Sequence, residues 1–276
     1  MKWILQHAAE KNYRFSLAFD PTEMLFTAMV STAAEHYDEH LGAIYTWMIG
    51  DIEAAFARSA AELDDLGLPS GIGRTAVDLG AGFGLHALPL VRRGFAVTAI
   101  DAHEPLLREL AVRAGRLPIR TVHADLKGFR AHTGSAVDVI LCMGDTLTHL
   151  PDHAGVEALF SDVAASLAPG GTFVATFRDY VSSPLQNDAR FILVRGDDER
   201  ILTCFLEYLE TTVIVHDLLH RRENGSWRMR VSSYPKLRLA PEWVVGQLTS
   251  RGLSVQRTAG GGGMIRIAAK KPNEGV

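Results

Sequence analysis

Ala76 to Leu90 reads AVDLGAGFGLHALPL, and the interpretation of this stretch decides the fold. A short apolar run carries an acid, Asp78, and leads into glycines at alternate positions, Gly80, Gly82 and Gly84. Glycine gives up the most backbone freedom on ordering, so three in one turn mark a place where side chains would be in the way. On either side the texture is alternating. TAVDLG reads as a strand and GLHALPLVRRG as a helix; AVTAID is a strand and HEPLLRELAVRAG a helix. IRTVHADL and AVDVILCMGD are strands, AGVEALFSDVAASLAPGG is a helix and TFVATFRDY a strand. Short, nearly all-apolar strands alternating with helices predict a mainly parallel, doubly wound α/β sheet covered on both faces.

The flanks differ from this core. Residues 1 to about 70 have few breakers and recurrent apolar positions at helical spacing, until GLPSGIG interrupts them. After Tyr180 the chain reads as longer antiparallel strands, RFILVRG, RILTCFLEYLETTVIVHDLLHRR and SWRMRVSSYPKLRL, with a hairpin turn at Asn224-Gly225. A late helix, APEWVVGQLTSRG, and a last strand, MIRIAAKK, return to the core. The expected organisation is an N-terminal helical lid over 1–72, a core over 73–189 and 240–276, and an antiparallel β insertion over 190–239 that partly roofs the site. The last strand is expected as one of an antiparallel pair in the main sheet.

Composition excludes several function classes. The 276 residues hold 28 Lys and Arg against 32 Asp and Glu, a net charge of -4, which gives no global reason to bind nucleic acid or an anionic membrane. Arg228 and Arg230 alternate with Trp227 and Met229 as one solvated face of a hairpin does. The two cysteines, Cys142 and Cys204, lie in apolar stretches and read as free core thiols, with no metal cluster. No stretch reaches bilayer-spanning length, and the N-terminus has no long apolar segment, so the expectation is a soluble, cytoplasmic protein. The oligomeric state is left open.

In a doubly wound sheet, ligands sit beyond the carboxyl ends of the strands, where the glycine turn falls. Asp101 closes the second strand about 20 residues later, where an acid holds the hydroxyls of a ribose. Asp125 ends the third strand in HADL, placed to accept from an adenine amino group while Leu126 covers the ring. Each aspartate alone could serve as a helix cap. A dinucleotide site usually spaces its third glycine three residues from the second; here Gly84 follows Gly82 by two. Asp78 would repel a pyrophosphate and attract a cation. An adenosine carrying a sulfonium and an amino group fits better.

These residues resemble the class I S-adenosylmethionine-dependent methyltransferases. Asp78, Gly80, Ala81, Gly82 and Gly84 match the family's first motif, Asp101 and Ala102 its ribose-binding segment, and Ala124, Asp125 and Leu126 its adenine-proximal segment. More narrowly, LCMGDTLTHLPD is similar to the fourth-strand segment of glycine N-methyltransferase and related small-amine enzymes, and FRDY to their fifth-strand segment. The resemblance implies S-adenosylmethionine as cofactor and a small-molecule methyl acceptor, an amine nitrogen before a hydroxyl or carboxylate. It implies that Met143 and Gly144 contact the cofactor and that Asp145, His149, Arg178 and Tyr180 serve the acceptor. Asp145 would orient an ammonium, His149 act as base and Arg178 hold an acceptor carboxylate. Tyr37, Tyr45 and Trp47 are candidates for a lid, or for core at helical spacing.

The chain also departs from those relatives. Asp145 and Asp179 stand where they have Asn, and their carboxylate-gripping arginine after the Gly-Asp of an N-terminal helix is replaced by Ile52, Glu53, Ala54 and Ala55. A cofactor-binding regulatory protein without turnover is the alternative of another class.

Overall fold

In the computed structural model, residues 30–134 and 136–273 are described. The part of the N-terminal helical expectation that falls on residues 1–29 lies outside them. The rest of that segment is helical but broken into pieces. Helix α1 (Ala33–His36) runs into a π turn (Tyr37–Leu41) and a 3-10 turn (Gly42–Ile44), followed by α2 (Tyr45–Ile49) and α3 (Ile52–Asp65). The break before α3 has a local cause. Gly50 adopts φ +86°, and the carboxylate of Asp51 accepts the backbone N–H of Ala54, capping the new helix.

The core alternates as its sequence predicts: β1 (Thr75–Leu79), α4 (Ala87–Arg92), β2 (Ala96–Asp101), α5 (Glu104–Ala114), β3 (Ile119–His123), β4 (Val137–Cys142), α6 (His153–Ser166) and β5 (Leu167–Phe177). The sequence extends α6 through LAPGG, whereas those residues begin β5. Pro169 cannot continue a helical ladder, and Gly170 takes φ +74°, so the chain turns directly into the sheet with a register shift against β4. Helix α7 (Pro241–Thr249), β10 (Ser254–Ala259) and β11 (Ile265–Lys270) complete it.

The seven strands lie in the order β10-β11-β5-β4-β1-β2-β3. All pairings from β5 to β3 are parallel, and β11 runs antiparallel between β5 and β10. Alternation along the strands sorts side chains into two cores. Val77, Leu79, Ile140 and Phe173 face α6 and α7, while Ala76, Val97, Val139 and Leu141 face α3, α4 and α5. The order reverses between β1 and β4, and a crevice opens at their carboxyl ends.

A separate antiparallel sheet joins β6 (Phe191–Gly196), β7 (Arg200–Tyr208), β8 (Thr212–Glu223) and β9 (Ser226–Leu237). Its β8–β9 hairpin turns at Asn224 and Gly225 with φ +49° and +78°, the left-handed pair that a tight hairpin requires. The inner face packs Tyr234 against His36 of α1, with ring centroids 4.0 Å apart.

Candidate active site

The glycine turn lies on the wall of a cleft that is open to solvent on one side. Its glycines do different things. A Cβ on Gly80 would come 2.4 Å from the Thr146 side chain, and one on Gly84 would come 2.2 Å from Cδ1 of buried Leu110. At Gly82 a Cβ would meet only Leu106, at 3.9 Å, and would otherwise project into open cleft. Two glycines therefore let the loop pack, and the middle one leaves room for a ligand. Asp101 fixes that middle position by accepting the N–H of Gly82 (2.7 Å) and of His103 (2.7 Å), one on each oxygen. Burial raises the Asp101 carboxyl above its usual range against the pull of those two N–H groups.

Among the residues expected at the cofactor, Gly80, Ala81, Gly82, Asp101, Ala102, Asp125, Leu126, Met143 and Gly144 line this cleft together. Ala124, Gly84 and Asp78 stand behind it. Asp78 is 1 % exposed and its Oδ2 has no hydrogen-bond partner among the described residues. Burial, with the charge of Asp101 adding, pushes its carboxyl up to about 7. The open face of Gly82, the free Oδ2 of Asp78 behind the turn and the two rim acids Asp101 and Asp125 fit an adenosine ligand that carries a positive charge.

Sequence reasoning also proposed a lid. Tyr37 and Tyr45 do line the cleft, whereas Trp47 faces the second sheet, donating to Asp197 Oδ2 (2.5 Å) under the Arg200 guanidinium. Ring contacts run without interruption from Phe83 in the glycine turn through Tyr45 and Tyr37 to His149 and on to Tyr234, at 5.8–6.0 Å between centroids. His86 and His103 add to the walls without any motif having marked them.

The four residues expected at the acceptor separate into three settings. His149 lines the cleft, and its buried Nε2 has no partner among the described residues. Burial, reinforced by the charge of Lys236, pushes its imidazole down to about 3, so the ring is neutral at any working pH. Asp145 follows Gly144 in a left-handed turn, with φ +75° and +73°. It is 4 % exposed and turns away from the cleft wall: Oδ1 accepts the Arg178 N–H (2.9 Å), and Oδ2 accepts Lys236 Nζ (2.6 Å) and the Tyr180 hydroxyl (3.3 Å). Burial alone would raise its carboxyl; the Lys236 charge and these hydrogen bonds outweigh that and hold it below the usual range. Burial likewise works against the Lys236 ammonium, and the Asp145 charge overrides it, raising the group well above its ordinary value. Arg178 sends its exposed guanidinium to the carbonyl of Gly262 (3.1 Å), outside the cleft. The expected pairing of Asp145 and Arg178 across one acceptor is thus replaced by an internal pair of Asp145 with Lys236.

An α/β sheet with a cleft at its switch point, walled by a glycine turn and two acids, defines a nucleoside-cofactor protein. A family model described as a methyltransferase domain matches residues 76–171. Glycine N-methyltransferase of Rattus norvegicus is 26% identical over 172 residues, which is 58% of each chain. Ubiquinone biosynthesis O-methyltransferase of Paramagnetospirillum magneticum is 34% identical over 102 residues, 37% of this chain and 39% of the relative. The chain therefore spans less than two thirds of either relative. Among solved structures, the sugar N-methyltransferase KedS8 from Streptoalloteichus superposes with a TM-score of 0.65 at 16% identity, over 94% of this chain and 100% of that one. The amino pentose methyltransferase CalS10 from Micromonospora echinaspora, solved with S-adenosylmethionine bound, gives 0.61 at 16%, over 84% and 96%. Residues 76–171 thus carry a methyltransferase domain, and the chain shares its fold with S-adenosylmethionine-dependent methyltransferases.

Proposed function

We propose that this protein transfers a methyl group from S-adenosylmethionine to an amine nitrogen of a small-molecule acceptor. When bound, the cofactor supplies an electrophilic methyl group on a good leaving group. The chain's own residues then have three tasks: alignment, exclusion of water and handling of one proton. Asp101 and Asp125 would hold the ribose and adenine, Gly82 would let the ligand approach the backbone, and Asp78 would favour the positive end. Tyr37 and Tyr45 would close over it.

His149 carries the choice of acceptor. A hydroxyl must lose its proton as it attacks, and an imidazole held down to about 3 is a poor base for that. A neutral amine is already nucleophilic and needs orientation before attack; the methylammonium it becomes gives its proton to solvent only after the methyl group has moved. The bare Nε2 of His149 can accept an amine N–H and thereby aim the lone pair. Likeness to proteins named glycine N-methyltransferase, ubiquinone biosynthesis O-methyltransferase and sugar N-methyltransferase leaves the acceptor class to this argument.

Calorimetric titration with S-adenosylmethionine, S-adenosylhomocysteine and NAD tests the cofactor; tighter binding of NAD would overturn it. Release of S-adenosylhomocysteine over panels of amines, phenols and carboxylates tests the acceptor. Turnover of an amine with a pH profile following the amine's own ionisation is expected. Faster turnover of a phenol, governed by a group titrating between pH 6 and 7, would replace this reading with O-methylation.

A further inference from the structure

Asp145 makes contacts that its place in the site does not by itself require. The turn it occupies, Met143 to His149, lines the cleft beside the glycine turn, with the Thr146 side chain packed against Gly80. Gly144 N–H donates to Thr176 Oγ1 (2.8 Å), Asp145 N–H to Thr176 O (3.0 Å), and Thr148 Oγ1 to Asp145 O (2.7 Å). A left-handed conformation at a non-glycine residue is held only where surroundings over-determine it. Here they include the Asp145 carboxylate, which ties the turn to the end of β5 through the Arg178 N–H and to β9 through Lys236. Lys236 lies 91 positions away in the chain, with 12 % of its side chain exposed. Its neighbour on the same face of β9, Tyr234, contacts His149.

We propose that Lys236 is a positioning residue for methyl transfer: by pairing with Asp145 it makes the antiparallel sheet hold the Gly144-Asp145 turn, and through it His149, in reacting geometry. The proposal rests on the methyltransferase reading for its consequence but not for its geometry. A buried carboxylate deprived of its counter-charge is strongly disfavoured, so removing Lys236 forces the turn to open or Asp145 to take up a proton. In either case the Arg178 and Tyr180 contacts loosen. Asp101 keeps its own hydrogen bonds to Gly82 and His103, which do not involve this turn.

Hydrogen–deuterium exchange on the full chain, with and without S-adenosylhomocysteine, decides this for Lys236→Met, Lys236→Arg and the double variant Asp145→Asn/Lys236→Met. In Lys236→Met, peptides covering 143–149 are expected to exchange at least tenfold faster, while those covering β2 to β3 (residues 96–123) are unchanged. Lys236→Arg should restore protection. With any amine acceptor that the wild type turns over, kcat should fall at least tenfold in Lys236→Met. Unchanged protection at 143–149, or loss spread evenly over both sheets, would overturn the proposal. Should Lys236→Met not fold, the double variant must recover the fold, since it removes the stranded carboxylate; failure to recover it also overturns the clamp. If wild type does not bind S-adenosylhomocysteine, the methyltransferase reading fails, and exchange on the ligand-free protein still decides the clamp.

Discussion

Asp101 is the residue on which cofactor and fold meet. Its two oxygens already hold Gly82 and His103, and each keeps a further lone pair for a ribose hydroxyl. Asp101→Ala should therefore remove two charge-assisted hydrogen bonds worth about 1.5–3 kcal/mol each. It should also free the Gly82 N–H, so cofactor affinity should fall at least a hundredfold; an unchanged calorimetric dissociation constant would remove Asp101 from the site. Asp78 makes a different prediction. Its carboxyl, raised to about 7, is neutral in more acidic solution and ionised above that point. Ionised Asp78 attracts the sulfonium of S-adenosylmethionine but has no such attraction for the uncharged sulfur of S-adenosylhomocysteine. The preference for S-adenosylmethionine over S-adenosylhomocysteine should grow as pH rises from 6 to 8. Asp78→Asn should show a flat ratio across the same range, and a flat ratio in the wild type would separate Asp78 from the ligand.

At the scale of elements, the glycine turn separates packing from binding. Gly84→Ala drives a methyl group into Leu110, which is buried within the core and cannot swing clear, at φ +95°. Overpacking together with left-handed strain should cost about 2–3 kcal/mol and lower the Tm by several degrees. Gly82→Ala meets almost nothing in the protein, so its strain should cost about 1 kcal/mol while its methyl group obstructs the ligand. Thermal melts and S-adenosylhomocysteine titrations of both variants should show opposite emphasis; equal loss of affinity in the two would contradict the division. The turn itself was legible because glycine, acid and strand-end positions are local features of sequence. For the same reason Asp101 and Asp125 could be placed on one cleft from their positions after successive strands, whereas Gly144 was reached through the family resemblance and Asp145, placed by its strand-end position, turns away from the cleft. Lys236 was not legible. Its partner is 91 residues away, and one lysine in SSYPKLRL carries no local mark of which element it will face. Nor did the run of helical periodicity before residue 70 show the π turn that carries Tyr37, because that change of winding goes with distant packing: Leu41 clusters with Leu202 and Leu219, and Tyr37 lines the cleft.

The whole molecule buries more titratable groups than its modest net charge suggests, and their balance sets its response to acid. Burial is the leading cause that lowers His40 and His86 to about 4 and His149 to about 3. Each is neutral in the folded chain and protonated near its ordinary value of about 6.5 once unfolded. Between those limits the unfolded state binds more protons, so these groups take stability away as pH falls from about 6.5 toward 4. Asp78 works in the opposite sense, since its raised carboxyl holds a proton in the folded state over much of that window, and Asp101, also raised, adds to it. These histidines, joined by His220, which burial also lowers, outnumber the two acids, so unfolding takes up protons on balance in this window. The Asp145–Lys236 pair contributes little until lower pH, because its carboxylate is held below the usual range and its loss begins only near the ordinary carboxylate value. His40 isolates the effect from the cleft. It sits 3 % exposed in the π turn, with both ring nitrogens unpartnered among the described residues, near His36, Asp217, Arg221 and Arg230. His40→Gln keeps a polar side chain of similar reach and cannot titrate. Urea unfolding at pH 7, 6 and 5 should show stability dropping steadily in the wild type, and in His40→Gln the slope should shrink by about one proton. Wild-type stability that is level from pH 7 to 5, or a slope that His40→Gln leaves unchanged, would mean that these rings are not held neutral by the fold.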